Sequence, residues 1–263
     1  MTDACDLSII VPTYNERERL EDLVAAVSDV FSAHRIRGEI VVVDDNSPDG
    51  TGAIADSLTL RFPVQVVHRP GKLGLGSAVI EGFRRSRGAT LGVMDADLSH
   101  PPSILPGMFA ALRALDVDVV VGSRYIPGGA SKDWPFLRLA MSRFACVLAW
   151  PLTPVRDATS GLFLVKRAAV EGTAISAAGF KICLELIMRS RIGSIAEIPY
   201  VFADRAAGES KMTLREALGY FVQLRDLYLV RFAKGHKARA RYRRVSEAEL
   251  KQFVADALQS ALR

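Results

Sequence analysis

Between residues 7 and 121, short β-branched apolar runs alternate with helical patterns, and nothing constrains the fold of this chain more. Leu7 to Val11 form a short, largely apolar run closed by Pro12, after which Leu20, Leu23, Val24, Val27 and Phe31 recur at helical spacing. Ile40 to Val43 repeat the strand signal within residues 39–44, and Ile54 and Leu58 mark a helix beyond a turn rich in Asn, Ser, Pro, Asp and Gly. Strands over 64–67, 91–94 and 117–121 and helices over 78–83 and 108–115 continue the series. Five strands alternating with four helices predict an α/β fold whose parallel sheet is covered on both faces.

After Gly122 the alternation loosens. Residues 135–150 read as an apolar helix, 162–165 as a strand, 182–189 as a helix and 195–201 as a further strand, so this half is expected to extend the sheet. From Leu214 the pattern predicts helix throughout, with Leu214, Ala217, Leu218, Phe221, Val222 and Arg225 alternating in face. The last helix has a readable start: Ser246 and Glu249 form a capping box, and Leu250, Phe253, Val254, Ala257 and Leu258 line one side. Two units are expected, an α/β domain over 1–212 and a helical, basic, membrane-associating tail over 213–263.

Cys5, Cys146 and Cys183 are odd in number and never spaced as metal ligands, which fits apolar fillers in a reducing compartment. The N-terminus is acidic and runs straight into a strand with no signal-peptide core, so a cytoplasmic location is expected. The longest stretch free of Asp, Glu, Lys and Arg, residues 98–112, contains three prolines and falls short of the roughly 20 residues a spanning helix needs. The net charge is only +5, but residues 231–244 hold seven Lys or Arg and no acid. No aromatic ladder or helix-turn-helix signal accompanies that run, so an anionic membrane surface is the expected partner and nucleic acid is not.

Acidic side chains collect where an open α/β sheet places its ligand crevice, at the carboxyl ends of strands. Asp44 and Asp45 end the second strand, Asp95, Ala96 and Asp97 end the fourth, and Glu16 lies in the loop after the first. Carboxylates crowded at one edge repel, and a divalent cation is the simplest compensation. An Asp-x-Asp turn can present both side chains to one hard cation, Mg2+ or Mn2+, which would bridge to a diphosphate as a Lewis acid. Alternatively, Asp95 and Asp97 cap the helix beginning near Pro101 and Pro102. The glycine-rich loop from Gly71 to Gly76 follows the third strand, lacks the dinucleotide fingerprint and does not end in Gly-Lys-Ser/Thr; it reads as a flexible turn with Lys72 as an optional charge.

Three strings together resemble a known family: Val11-Pro12-Thr13-Tyr14-Asn15-Glu16, the run from Val42 through Asp44, Asp45, Asn46, Ser47 and Pro48 to Thr51, and Met94-Asp95-Ala96-Asp97-Leu98-Ser99-His100-Pro101. With Gly122-Ser123-Arg124-Tyr125, the segment from Asp157 to Gly161, Gly179-Phe180-Lys181 and the run from Arg205 to Met212, they resemble the dolichyl (polyprenol) phosphate mannosyltransferases of glycosyltransferase family 2, over roughly residues 7–212. The resemblance implies a GT-A (Rossmann-like nucleotide-diphospho-sugar transferase) fold with a mainly parallel sheet and C-terminal helices. It implies that Pro12, Tyr14, Glu16, Val43 and Asp45 hold the nucleoside, while Asp95, Ala96 and Asp97 meet the diphosphate and the metal.

In the same way Arg124, Arg205 and Lys211 match basic positions around the donor and acceptor phosphates, with Arg138, Lys181 and Ser210 as weaker acceptor-side candidates. Ser99 stands where some members carry a metal-binding Gln and is a weak ligand. Tyr14, flanked by Thr13 and Asn15, suggests an exposed ring that can stack on a base. The implied reaction inverts mannose from GDP-mannose onto a polyprenyl phosphate. A UDP-glucose donor, a hydroxyl or glycan acceptor with Asp157 as the spare base, and a non-catalytic nucleotide-sugar or lipid-binding module are the alternatives. Lacking the transmembrane helices of longer members, the chain resembles the short class. That class implies peripheral attachment to the cytoplasmic-facing side of the membrane or a membrane anchor subunit.

Overall fold

A computed structural model describes residues 5–175, 181–203, 214–233 and 240–260. The expected alternation is present: β1 (Leu7–Thr13), α1 (Leu20–Ala33), β2 (Gly38–Asp44), α2 (Thr51–Leu58), β3 (Val64–His68), α3 (Leu75–Arg85), β4 (Thr90–Val93), α4 (Leu105–Ala114) and β5 (Val119–Ser123). The second half adds β6 (Ala130–Ser131), α5 (Phe136–Ala149), β7 (Phe163–Lys166), α6 (Arg167–Val170), α7 (Ile182–Arg189), β8 (Ser194–Pro199) and β9 (Val201–Phe202). The chain continues with α8 (Leu214–Ala233), β10 (Arg241–Arg244) and α9 (Glu247–Ser260).

The main sheet runs β10-β8-β5-β7-β4-β1-β2-β3, with only β7 antiparallel to its neighbours, and β6 pairs β9 in a separate two-stranded ribbon. From β1 the chain winds outward through β2 and β3, then returns to place β4 on the other side of β1. That reversal is the switch point at which a crevice opens beyond the strand ends.

Alternating side chains divide the core into two layers. Leu7, Ile9 and Val11 pack with α1, α2 and α4 on one face, and Ile10, Val41 and Val43 pack with α3 and α7 on the other. The five apolar residues that predicted α1 are all buried, each worth about 1.5–3 kcal/mol relative to exposure. A third cluster joins Ala149 and Leu152 to Leu184 and Met188 of α7 and to Tyr220, Leu224 and Leu227 of α8.

The C-terminal region is not wholly helical. Arg241–Arg244 pairs in parallel with β8, Tyr242 beside Ile195 and Arg244 beside Glu197, and so extends the main sheet. The capping box is formed as expected, Ser246 N–H donating to Glu249 Oε2 at 2.9 Å and Glu249 N–H to Ser246 Oγ at 3.3 Å. Leu250 and Phe253 of α9 pack against the core layer beneath α4. Cys146 and Cys183 are buried, Cys5 is half-buried, and all three are free thiols. No helix among the described residues is long and apolar enough to cross a membrane.

Candidate active site

The loops leaving β1 and β2 are laced together at the switch point. Asn15 N–H donates to Ser47 Oγ at 3.0 Å, Glu16 N–H to Thr51 Oγ1 at 3.0 Å, and Arg17 N–H to Asp49 Oδ2 at 3.2 Å. Asn15 and Asn46 turn the chain at φ 61° and 57°, a left-handed conformation that Asn tolerates. Asp44 accepts from Thr13 Oγ1 and the Ser47 amide and is an internal pin of these loops. Glu16 is held at the crevice by its main chain, and Pro12 lies beside Val43 in the β1–β2 register.

Two nucleoside candidates are placed differently from the expectation. The Val43 side chain is fully buried under α3, so only its main chain can reach a ligand. The Asp45 carboxylate is buried against Arg69, and its second oxygen accepts the amides of Leu73 and Gly74, each at 3.0 Å. Gly74, at φ 97°, supplies a conformation that L side chains rarely adopt and turns its amide to that carboxylate. The glycine-rich turn is therefore tied down rather than flexible. Its Lys72 Nζ sits 3.9 Å from the centroid of the Tyr14 ring, covering one face of the aromatic expected to stack on a base.

On the other side of the switch point, β4 continues past its last ladder residue through Met94 N–H to Ile10 O, and the Asp-x-Asp turn follows. Asp95 keeps a side chain 36% exposed, while Ala96 is buried beneath it. The Asp95 amide donates to Nδ1 of His100 at 3.2 Å, and His100 Nε2 lies 3.9 Å from Asp95 Oδ2. Burial lowers the His100 pKa, outweighing the opposing pull of the Asp95 carboxylate. Tyr200 and Phe202 meet it edge-on.

Asp97 accepts its own turn through Ser99 N–H at 3.0 Å. The single-turn helix Pro102–Ile104 begins at Pro101 with no side-chain cap, so capping does not explain the two aspartates. Ser99 is sealed from solvent, and its hydroxyl has no partner among the described residues; a place in a metal shell is not what this burial supports.

The basic candidates are not equivalent. Arg124 is buried in a fork on Asp157, with Nε to Oδ2 and Nη2 to Oδ1 both at 2.7 Å, and its main-chain amide adds a third bond at 3.0 Å. Burial opposes the charge on Arg124, but the Asp157 carboxylate outweighs it and raises the guanidinium pKa still further. Nη1 has no partner among the described residues, which leaves one N–H edge for a ligand. The expected open phosphate clamp is thus largely an internal ion pair.

Asp157, the spare base for a hydroxyl acceptor, is fully buried and also accepts from Thr159 Oγ1 at 3.2 Å, so both of its oxygens are already engaged. Lys181 sits part-buried at the start of α7, where burial lowers its pKa and the Arg124 charge adds to the effect. Arg138 lies 4.1 Å over the Trp134 ring. Arg205, Ser210 and Lys211 fall outside the described residues.

The described residues gather no group of three or more His, Cys, Asp or Glu around one point. A hard divalent cation does not require such a group, because Mg2+ usually keeps several waters and completes its shell with substrate phosphates. Gly161 supports the fit: a Cβ there would stand 3.3 Å from Asp95 Oδ2, so the bare position leaves that carboxylate its space.

The sequence reading passed over Arg69, His100 and Glu197. Only His100, inside the Asp-x-Asp string, carried a local signal; Arg69 and Glu197 act through partners far away in the chain.

The model of glycosyl transferase family 2 matches residues 8–173. A dolichol-phosphate mannosyltransferase of Pyrococcus furiosus is 39% identical over 226 residues, covering 84% of this chain, and the chain spans only 62% of that relative's length. A polyprenol monophosphomannose synthase of Mycolicibacterium smegmatis is 39% identical over 225 residues, covering 80% of this chain and 83% of the relative. Among solved structures, glucosyl-3-phosphoglycerate synthase of Mycobacterium tuberculosis, in complex with Mn2+, UDP and glucosyl-3-phosphoglycerate, superposes with a TM-score of 0.62 at 20% identity. That superposition covers 87% of this chain and 80% of the other.

Proposed function

As a member of glycosyl transferase family 2, the chain is, we propose, an inverting, divalent-cation-dependent mannosyltransferase that carries mannose from GDP-mannose to a polyprenyl phosphate. The observation that carries this reading is the commitment of Asp157 to Arg124. With that carboxylate engaged by five donors, the spare base that a hydroxyl acceptor would need is committed elsewhere among the described residues, which favours an acceptor that arrives already ionised. A phosphate monoester does so, because its second pKa is near 6. A hydroxyl acceptor does not.

In this reading the donor lies across the switch point. Pro12, Tyr14, Glu16 and the main chain of Val43 flank the nucleoside, and Asp45 orders the 69–74 loop over it with Lys72. Asp95 and Asp97 would hold Mg2+ or Mn2+, which supplies Lewis-acid neutralisation of the departing diphosphate. Arg124 through Nη1, with Lys181, Arg138 and the residues Arg205, Ser210 and Lys211, would set the acceptor phosphate against the sugar by electrostatic preorganisation. Two ionised phosphates brought together repel, so fixed cations are the main contribution these side chains make.

The lipid acceptor also accounts for an exposed apolar surface. Leu218, Phe221, Val222, Leu229 and Phe232 recur along the solvent side of α8, while Phe136, Leu137, Phe144, Val147 and Trp150 are exposed on or next to α5. Arg225, Tyr228, Leu229 and Phe232 line a cavity of about 540 Å3 on this face. Such a surface suits peripheral docking on an anionic membrane, alone or beside an anchor subunit.

The test is transfer itself. Purified protein is incubated with radiolabelled GDP-mannose or UDP-glucose, a short polyprenyl phosphate, and Mg2+, Mn2+ or chelator. Label should pass to the organic phase from GDP-mannose only, and only with metal. Equal transfer in chelator, or preference for UDP-glucose or for the unphosphorylated alcohol, would overturn the assignment.

A further inference from the structure

Glu197 is fully buried on β8, in the interior of the main sheet, yet no cation among the described residues pairs with it. Its carboxylate is instead satisfied by three dipolar donors. Oε1 accepts the Asp157 amide at 2.9 Å; Oε2 accepts the Arg156 amide at 3.0 Å and the Tyr242 hydroxyl at 2.5 Å. A buried carboxylate without these donors would be costly, and one surrounded by them fixes the position of whatever supplies them. Two of the donors belong to consecutive residues of one irregular segment, the second of which is Asp157. The third comes from β10, the strand that the sequence pattern missed.

The contacts form a continuous series. Tyr242 holds Glu197, Glu197 holds the main chain at 156–157, and the Asp157 side chain holds Arg124 through both oxygens. We infer that Glu197 and Tyr242 are positioning residues for the transfer reaction, setting Arg124 through Asp157, and that β10 is part of the catalytic unit rather than an accessory tail. The protonation state of Tyr242 suits this role. Burial, reinforced by the Glu197 charge, raises its pKa, so the phenol remains a donor at every pH where the protein works. The inference rests on the proposed role of Arg124 at the acceptor phosphate. It is independent of donor chemistry, since no hydrogen bond in the series involves the loops after β1 and β2.

Tyr242→Phe removes one hydroxyl and leaves the ring that packs against the core layer containing Ile195. It should lower kcat for mannosyl transfer about fivefold to tenfold while the KM for GDP-mannose stays within twofold, because only the acceptor side is disturbed. In an Arg124→Lys background, where the fork on Asp157 is lost, the same substitution should have no further effect on kcat. An equal loss in both backgrounds would show that Tyr242 acts by general destabilisation, and wild-type kcat in Tyr242→Phe would show that it does not act at all.

A second arm needs no turnover. Calorimetric titration with citronellyl phosphate should give affinity weakened about fivefold by Tyr242→Phe and by Glu197→Gln, with GDP and Mg2+ binding unchanged. Unchanged citronellyl phosphate affinity in both variants would overturn the positioning role. Absence of mannosyl transfer by the wild-type chain, with this binding difference intact, would instead remove the transfer reading and leave Glu197 and Tyr242 as positioning residues of a phosphate-binding site.

Discussion

A Cβ atom on Gly161 would stand 3.3 Å from Oδ2 of Asp95 and 3.3 Å from Cε1 of His100. That spacing is tighter than ordinary van der Waals contact. The aspartate of the Asp-x-Asp turn therefore has its orientation defined on one side by the absence of a side chain. Gly161→Ala should displace the Asp95 carboxylate by a few tenths of an ångström and weaken apparent Mn2+ affinity by about tenfold, the scale at which disturbed outer contacts act on a metal site. Metal titration of activity measures this, with a melting temperature close to wild type separating it from misfolding.

Breaking the Arg124–Asp157 pair from one side leaves a buried, unpaired charge. Asp157→Ala is expected to destabilise the fold by about 3–5 kcal/mol, visible as a lowered denaturation midpoint, and to abolish transfer. Asp157→Asn, which keeps shape and some hydrogen bonding, should recover much of the stability and little of the activity. Recovery of activity by Asp157→Asn would show that the charge on this side chain is not needed.

Arg69 and the Leu73 and Gly74 amides converge on one carboxylate, so the loop over Tyr14 is held by Asp45. Removing the cation in Arg69→Ala should loosen that loop and raise the KM for GDP-mannose about tenfold with a smaller change in kcat. Steady-state kinetics at saturating acceptor distinguish the two parameters.

At the opposite end of the sheet, Glu39 accepts from Ser8 Oγ at 2.7 Å and from Arg87 Nε at 2.9 Å, in addition to the Arg87 amide. Burial raises its pKa, but these hydrogen bonds and the Arg87 charge outweigh burial and lower it below the ordinary 4.5. A carboxylate with a depressed folded-state pKa contributes stability that is fully present above the unfolded value and lost as pH falls through the folded value. Glu39→Gln should thus cost about 1–3 kcal/mol at pH 7 and flatten the acid limb of the stability profile below pH 4.5. Urea denaturation between pH 7 and pH 3 provides the comparison.

The exposed side of α8 gives a prediction about surfaces rather than sites. Replacing Phe221 and Leu229 together by Ser should reduce partitioning onto anionic vesicles about tenfold while leaving GDP affinity and thermal stability near wild type. Undiminished sedimentation with vesicles would assign membrane contact elsewhere.

Much of the fold was legible because β-branched runs and 3.6-residue spacing report burial directly. Leu7 to Val11 and Leu20 to Phe31 show their buried faces in the order of their side chains. β10 was not legible. Arg241, Tyr242, Arg243 and Arg244 carry no apolar alternation, and their strand exists because β8 offers a partner and Glu197 accepts the Tyr242 hydroxyl. The double character of α8 was equally hidden: Tyr220, Leu224 and Leu227 are buried while Leu218, Phe221 and Leu229 are exposed, so the helix is apolar on two sides.

At the site, residue type was legible and partnership was not. The Asp-x-Asp turn identified itself, since its neighbours along the chain define it. Arg124 read as a phosphate clamp because nothing local reveals a carboxylate 33 positions later that occupies two of its nitrogens. Asp45 read as a ligand contact for the same reason, its true neighbours lying 24 to 29 positions away.

The position of β10 has a consequence for how the protein is made. The strand order places this late segment beside β8, so the sheet lacks its outermost member while the ribosome is still translating residues before 241. Until then the Glu197 carboxylate has no phenol to bind and the flank of β8 lies open to water or to a neighbouring nascent chain. A polypeptide interrupted before Tyr242 would therefore leave that carboxylate short of one donor and one flank of β8 unpaired.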